Sequence, residues 1–323
     1  MRRIISFLMM VVLFSACAST KSSQETPRES VSVFERRLQR VVDLQERVFD
    51  EMQQEVDQNR VNSGYLMQRI QELAAEYESI IADNPKDPVP MILYGKMLRS
   101  VGDEEGAHLI FMEANEADPE IAVVKQQLGN YYAEKGRCFE ALSLYLDAIR
   151  LEPDVAVYSY GLGELLHEYQ REFLAEDIFQ IDVLERNMMK AFSDAARLEP
   201  DNHDFRMRYG EAFYDLSNPD WIEALSVWEA FQKDADPGIE TQATYLHRGR
   251  CLAALERFDE AEQLVRQVQE PLLIHTRDML LQQIANRQPL FSGSAQSVEK
   301  ETPVETTGAE SVTIENAEVI PAD

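Results

Sequence analysis

The chain has 323 residues, with 31 Lys and Arg against 58 Asp and Glu, and a formal net charge of −27. Such a surface repels nucleic-acid phosphates instead of releasing their counterions, which argues against a nucleic-acid partner. A hydrophobic share of 45% permits a sizeable core, and only 13 Gly and 13 Pro favour helices over strands and turns, whether in one or two globular domains or in a stack of repeats.

Residues 1–16 read as an export signal: Met1-Arg2-Arg3 is basic, residues 4–14 are uncharged and apolar, and Ser15 and Ala16 are small. As a helix the apolar run would be roughly 16 Å long, about half of the ~30 Å hydrocarbon core, so it is too short for a permanent span. Leu13-Phe14-Ser15-Ala16-Cys17 resembles the bacterial lipobox, although Phe14 stands where Leu is usual. The resemblance implies that Cys17 is acylated and becomes the first residue of the mature chain; the other reading is an ordinary signal peptide cut near Ala16 or Ala18. Ala18 also lacks the Asp associated with retention at the inner membrane, which implies the outer membrane, periplasmic face. Residues 17–30 would then hold the lipidated cysteine and a polar, aperiodic tether.

Residues 31–87 make an N-terminal segment. Over 33–56, Phe34, Leu38, Val41, Val48 and Met52 share one side, which predicts a long amphipathic helix. It either folds onto the following stack, the reading its small number of apolar heptads favours, or pairs with another helix.

From here a period takes over. Pro85, Pro119 and Pro153 recur every 34 residues, the signature of repeated helix pairs. Between them, Tyr94-Gly95, Leu98, Ala107, Phe111 and Ala114 form one set, and Leu128-Gly129, Tyr132, Ala141, Tyr145 and Ala148 the next. Small residues at these places let two helices approach closely, and the prolines end each second helix. This pattern resembles the tetratricopeptide family, which implies an all-α superhelical solenoid of antiparallel helix pairs.

About five units fit over 88–271. The third opens at Leu162-Gly163 but closes at Pro200, 47 residues after Pro153, an excess of 13. Leu174, Ile178, Ile181, Met188 and Phe192 keep helical spacing there without Gly or Pro, which predicts one long second helix over 174–198, roughly 37 Å in length. The fourth unit carries Gly210, Phe213, Ala224 and Trp228; the fifth carries Gly249, Ala261, Val265 and Pro271. Upstream, Leu73, Tyr77, Ile80 and Pro85 match the second helix of a repeat whose first helix is degenerate. Leu273, Leu280, Leu281 and Ile284 predict a capping helix within 272–290, as a solenoid end requires. Residues 291–323 lack apolar periodicity and are strongly acidic, so disorder is expected, as a solubilising tail or a docking peptide.

Little in the sequence suggests catalysis. The five histidines are scattered without HExxH or Cys-His spacing, and neither a phosphate-binding Gly-rich loop nor GxSxG is present, so no enzyme, metal or cofactor is expected. Cys138 and Cys251 fall in units that are not neighbours, which predicts unpaired, partly buried thiols.

The resemblance places binding on the concave surface formed by first helices. It carries over to Ile92, Lys96 and Arg99; then Gln126, Asn130 and Glu134; then Tyr160, Glu164, His167 and Glu168; then Met207, Glu211, Tyr214 and Asp215. These make a groove basic at its N-terminal end and acidic with aromatics in the middle. The acids Glu164 and Glu168 depart from the carboxylate clamp of the family's chaperone-binding members and suit a segment with Lys or Arg and an apolar anchor. The implied role is an outer-membrane-anchored periplasmic scaffold that binds envelope proteins or extended peptide segments; the alternative is a soluble, exported, chaperone-like carrier.

Overall fold

The computed structural model describes residues 32–57, 63–176 and 178–287; Cys17, the export signal, the tether and the acidic C-terminal segment lie outside the described residues. The chain divides into two compact units, one ending at Glu76 and the other beginning at Tyr77, inside the second helix.

In the first unit, α1 (Val33–Asp57) opens with a reciprocal capping box: the Ser32 amide donates to Glu35 Oε2 at 2.7 Å and the Glu35 amide to Ser32 Oγ at 3.0 Å. It runs antiparallel to the first part of α2 (Ser63–Asp83), because Arg37 reaches Glu76 at 3.9 Å at one end while Glu51 accepts from Tyr65 and Arg69 at 3.0 and 3.3 Å at the other. Val41, Val48, Leu66 and Leu73 are buried. α1 therefore pairs with the first part of α2.

The second unit is a run of helix pairs: α3 (Pro88–Ser100) with α4 (Glu104–Ala117), α5 (Ala122–Glu134) with α6 (Cys138–Leu151), then α7 (Ala156–Glu168), α8 (Gln170–Ala175) and α9 (Ile181–Leu198). It continues with α10 (His203–Ala212), which ends in a 3-10 turn (Phe213–Asp215), and α11 (Trp221–Asp234), then α12 (Ile239–Ala254) with α13 (Phe258–Val265), and closes on α14 (Ile274–Ala285). No strand occurs among the described residues. Short acids and amides start several helices by accepting from free amides: Asp87 from Val89, Asp103 from Gly106, Asn202 from Phe205, and Asp220 from Ile222 and Glu223.

The turn inside a pair recurs. Gly102 and Gly136 adopt φ of 86° and 74°, and the next amide reaches back across the turn, from Asp103 to Leu98 O at 2.9 Å and from Arg137 to Tyr132 O at 2.8 Å. The fifth unit repeats this geometry with Glu256 at φ 60° and Arg257 bonded to Leu252 O at 2.9 Å. The third departs from it: Gln170 stands 34 residues after Gly136, and the chain turns straight into α8.

The long second helix expected over 174–198 is accordingly absent. α8 ends at Ala175 and α9 begins at Ile181. Phe173 and Phe179 explain the break: six residues apart, they would point to different sides of one helix, yet both are buried with rings 5.8 Å apart. Phe173 also meets Phe139 edge-on at 5.4 Å, and the Tyr169 hydroxyl donates to Ala133 O at 2.5 Å, so the insertion packs back against the second pair.

The core follows the repeat. The signature residues from Tyr94 and Gly95 to Gly249 and Ala261 are buried, apart from half-buried Tyr132 and the exposed prolines Pro119, Pro153 and Pro200. One cluster joins Tyr145, Leu162, Phe192 and Ala212; another joins Phe213, Trp228, Leu252 and Val265 to Leu280 of α14. Cys138 and Cys251 are free, as expected, but fully buried instead of partly so. Burial raises both thiol pKa values, that of Cys251 to about 12, which leaves them inert as nucleophiles.

Candidate functional site

The side chains at equivalent places on α3, α5, α7 and α10 gather into one polar strip. On α3, Arg99 donates to Gln127 Oε1 at 3.3 Å and pairs with Glu134 at 2.5 Å, both on α5. Beside them, the buried Tyr145 hydroxyl donates to Asn130 Oδ1 at 2.5 Å. Burial raises the Tyr145 pKa, and Arg99, Glu134, Glu168 and Glu164 all act on its phenol through their charges. A single ring thus senses charged groups from three successive pairs.

The strip continues onto α10. Arg208 donates from Nε to Glu164 Oε1 at 2.7 Å and from Nη1 to Asp215 Oδ2 at 3.1 Å, and its guanidinium lies 4.3 Å from the centre of the Phe192 ring. His167 Nδ1 stands 3.4 Å from the same Asp215 oxygen. Tyr160 stacks on Phe205 at 4.7 Å and meets Phe192 edge-on at 6.0 Å. Burial raises its pKa, with Glu164, Asp204 and Glu211 adding to the rise and Arg208 opposing it.

Some expected groove residues are less available. Gln126 is buried and accepts from the Gln127 amide at 2.7 Å. Tyr214 belongs to the 3-10 turn, and its hydroxyl lies 2.9 Å from His247 Nδ1, under a His247 ring stacked 3.9 Å from Trp228. Lys96 and Arg99 do not form an open basic end: burial lowers the Lys96 pKa, and Arg99 is 12% exposed with Glu134 as partner. Ile92 and Met207 are half-buried. Glu168 and Glu211 make no ion pair among the described residues, and Glu168 is exposed.

Sequence reasoning missed Arg208. It lies two residues before the signature Gly210, on a face not assigned to the groove, and only the approach of α10 to α7 brings it to Glu164. Among the described residues no cluster of three or more His, Cys, Asp or Glu could hold a metal ion, and no helix is long and apolar enough to cross a membrane.

No protein-family model matches the sequence, and no curated protein does. Among solved structures, the chain is similar to YrrB, described as a TPR protein with an unusual peptide-binding site, at a TM-score of 0.51 and 21% identity over 65% of this chain and 97% of that one. It is similar also to PilF of Pseudomonas aeruginosa, at a TM-score of 0.47 and 13% identity over 77% of this chain and 99% of that one. With the helix pairs described above, the likeness to YrrB makes the fold an all-α tetratricopeptide solenoid.

Proposed function

We propose that this chain is a protein-binding scaffold, tethered through a lipid on Cys17 to the periplasmic face of the outer membrane, whose first-helix strip takes an extended partner segment bearing Lys or Arg. The observation that carries the binding reading is the continuity of the strip: Arg99 of the first pair bonds to Gln127 and Glu134 of the second, where Tyr145 bonds to Asn130, and Arg208 of the fourth bonds to Glu164 of the third over the Phe192 ring that Tyr160 also meets. A run of polar groups and aromatics across four pairs suits an extended peptide better than a small molecule, because it offers many modest contacts spread along successive helices. YrrB, which shares the fold, is described as having a peptide-binding site.

The acids Glu168 and Glu211 make no ion pair among the described residues, which favours a basic segment steered by opposite charge. The lipid reading rests on the lipobox resemblance around Cys17. Two measurements test the pair of claims. A fatty-acid probe should label wild type and leave Cys17→Ser unlabelled; labelling of both would remove the anchor. Crosslinking in membranes followed by co-purification should recover protein partners through strip positions, and recovery only through α6 or α11 positions would move the site elsewhere.

A further inference from the structure

Arg208 is held as a ligand would be. Its side chain is 13% exposed, and it meets one carboxylate from the third pair, Glu164 at 2.7 Å, and one from the turn after its own helix, Asp215 at 3.1 Å. The Phe192 ring covers the guanidinium at 4.3 Å. Two carboxylates and an aromatic face favour an arginine over a lysine, since a planar fork donates in two fixed directions while its face lies on the ring, a combination an ammonium matches less well. The occupant belongs to the chain itself, and the receptor joins α7, which carries Glu168, to α10, which carries Glu211.

We propose that Arg208 is an internal competitor, occupying an arginine-binding pocket at the junction of the third and fourth pairs, and that a partner presenting arginine binds by displacing it. The inference rests on the basic-segment reading above and sharpens it from cation to guanidinium. Displacement exchanges one arginine for another in the same pocket, so a single partner arginine gains little by itself. Net binding comes from further basic side chains on the same segment, which reach Glu168 and Glu211. Arg208, returned to water, keeps its charge and loses its bonds. The device thereby rejects isolated arginine and accepts a segment with several basic residues, and occupancy loosens the tie between α7 and α10.

The test uses the full chain with fluorescent hexa-arginine and hexalysine as probes. Arg208→Ala should bind hexa-arginine roughly tenfold more tightly than wild type, with a smaller gain for hexalysine. The gain should vanish when Glu164→Gln is added. Arg150→Ala, on α6, removes the same charge far from the pocket and should change neither affinity appreciably. Arg208→Lys guards against misfolding of the alanine variant: it keeps a cation but not the fork, so hexa-arginine should still gain. Equal gains for both peptides, or a gain from Arg150→Ala of the same size, would reduce the effect to bulk charge and overturn the proposal. Equal binding to wild type and both Arg208 variants would overturn the competitor while leaving the basic-segment reading intact. Failure of both peptides to bind any variant would remove both.

Discussion

The seam inside each helix pair and the strip across the pairs are built by different rules. In the seam, a glycine of the first helix faces a large side chain of its own pair's second helix: a Cβ at Gly95 would lie 2.8 Å from Phe111, and Gly249 meets Val265 in the same way, each sixteen residues on. On the strip, partners lie 35 residues apart for Arg99 and Glu134 and 44 for Arg208 and Glu164. The seam is local and repeats because every pair must solve the same close approach. The strip is assembled between pairs, where each junction differs. Periodicity in a sequence therefore reports packing far better than charge pairing.

The largest expected effect breaks the seam. A Cβ at Gly163 would sit 2.7 Å from Phe192, whereas at Gly129 it would meet Tyr145 at 3.5 Å, ordinary contact. Gly163→Ala should cost about 2–3 kcal/mol through overpacking, while Gly129→Ala should be neutral or stabilising, because the gain in helix propensity of about 1 kcal/mol meets no clash. Thermal melts of the two variants decide it. Equal losses would mean that the repeats do not differ as described.

That pair of glycines also marks how far the sequence could be read. The period of prolines, the small residues and the aromatics identified the pairs because each has a local cause repeated in every unit. The tightness of one seam over another was not visible: Tyr145 presses on Gly161 of the following helix, where a Cβ would lie 2.6 Å away, and spares Gly129 of its own pair. The altered turn after α7 had a signal in Gln170, which stands where Gly102 and Gly136 predict a left-handed turn, whereas the break between α8 and α9 was hidden by the helical spacing of the apolar residues. Groove positions carried over from the family fell on the strip where helices stay regular, as at Asn130 and Glu164. They fell off it at Tyr214, where α10 tightens into a 3-10 turn toward His247.

The next effect comes from that turn. His247 is packed between Trp228 and Tyr214, and burial lowers its pKa to about 3 from an ordinary 6.5. The folded chain therefore keeps it neutral while the unfolded chain takes up a proton below pH 6.5, so this residue's contribution to stability is lost as pH falls from 6.5 toward 3. Roughly 2 kcal/mol should disappear between pH 6.5 and 5. His247→Gln should flatten that part of the stability profile; an unchanged slope would show that other groups carry the acid sensitivity.

A smaller effect should run the other way. Glu256 holds φ 60° at a place that Gly102 and Gly136 fill in the first two pairs. Since a side chain there strains the backbone, Glu256→Gly should raise stability by about 1 kcal/mol, against the usual entropic cost of glycine. A lower melting temperature would show that the fifth turn is held by its side chain and differs from the others.

The smallest effect on stability belongs to the strip, where the largest effect on binding is expected. Glu168 and Glu211 form no ion pair among the described residues, so Glu168→Lys together with Glu211→Lys should leave stability within about 0.5 kcal/mol. Glu164 would be a poor choice, since its loss frees Arg208 and mixes two causes. If the strip takes a basic segment, the double variant should slow association with hexalysine and reverse its dependence on salt, because the steering field at the site changes sign while dissociation is set by contacts elsewhere. Asp147→Lys supplies the control: it lies on α6, in an ion pair with Arg150 at 3.0 Å, and adds charge away from the strip. Each substitution shifts the net charge by two, so bulk charge alone would make the single control half as effective as the double variant. A control effect well below half assigns recognition to the strip. An effect at half, with the same salt dependence, assigns it to the field of the whole anionic molecule.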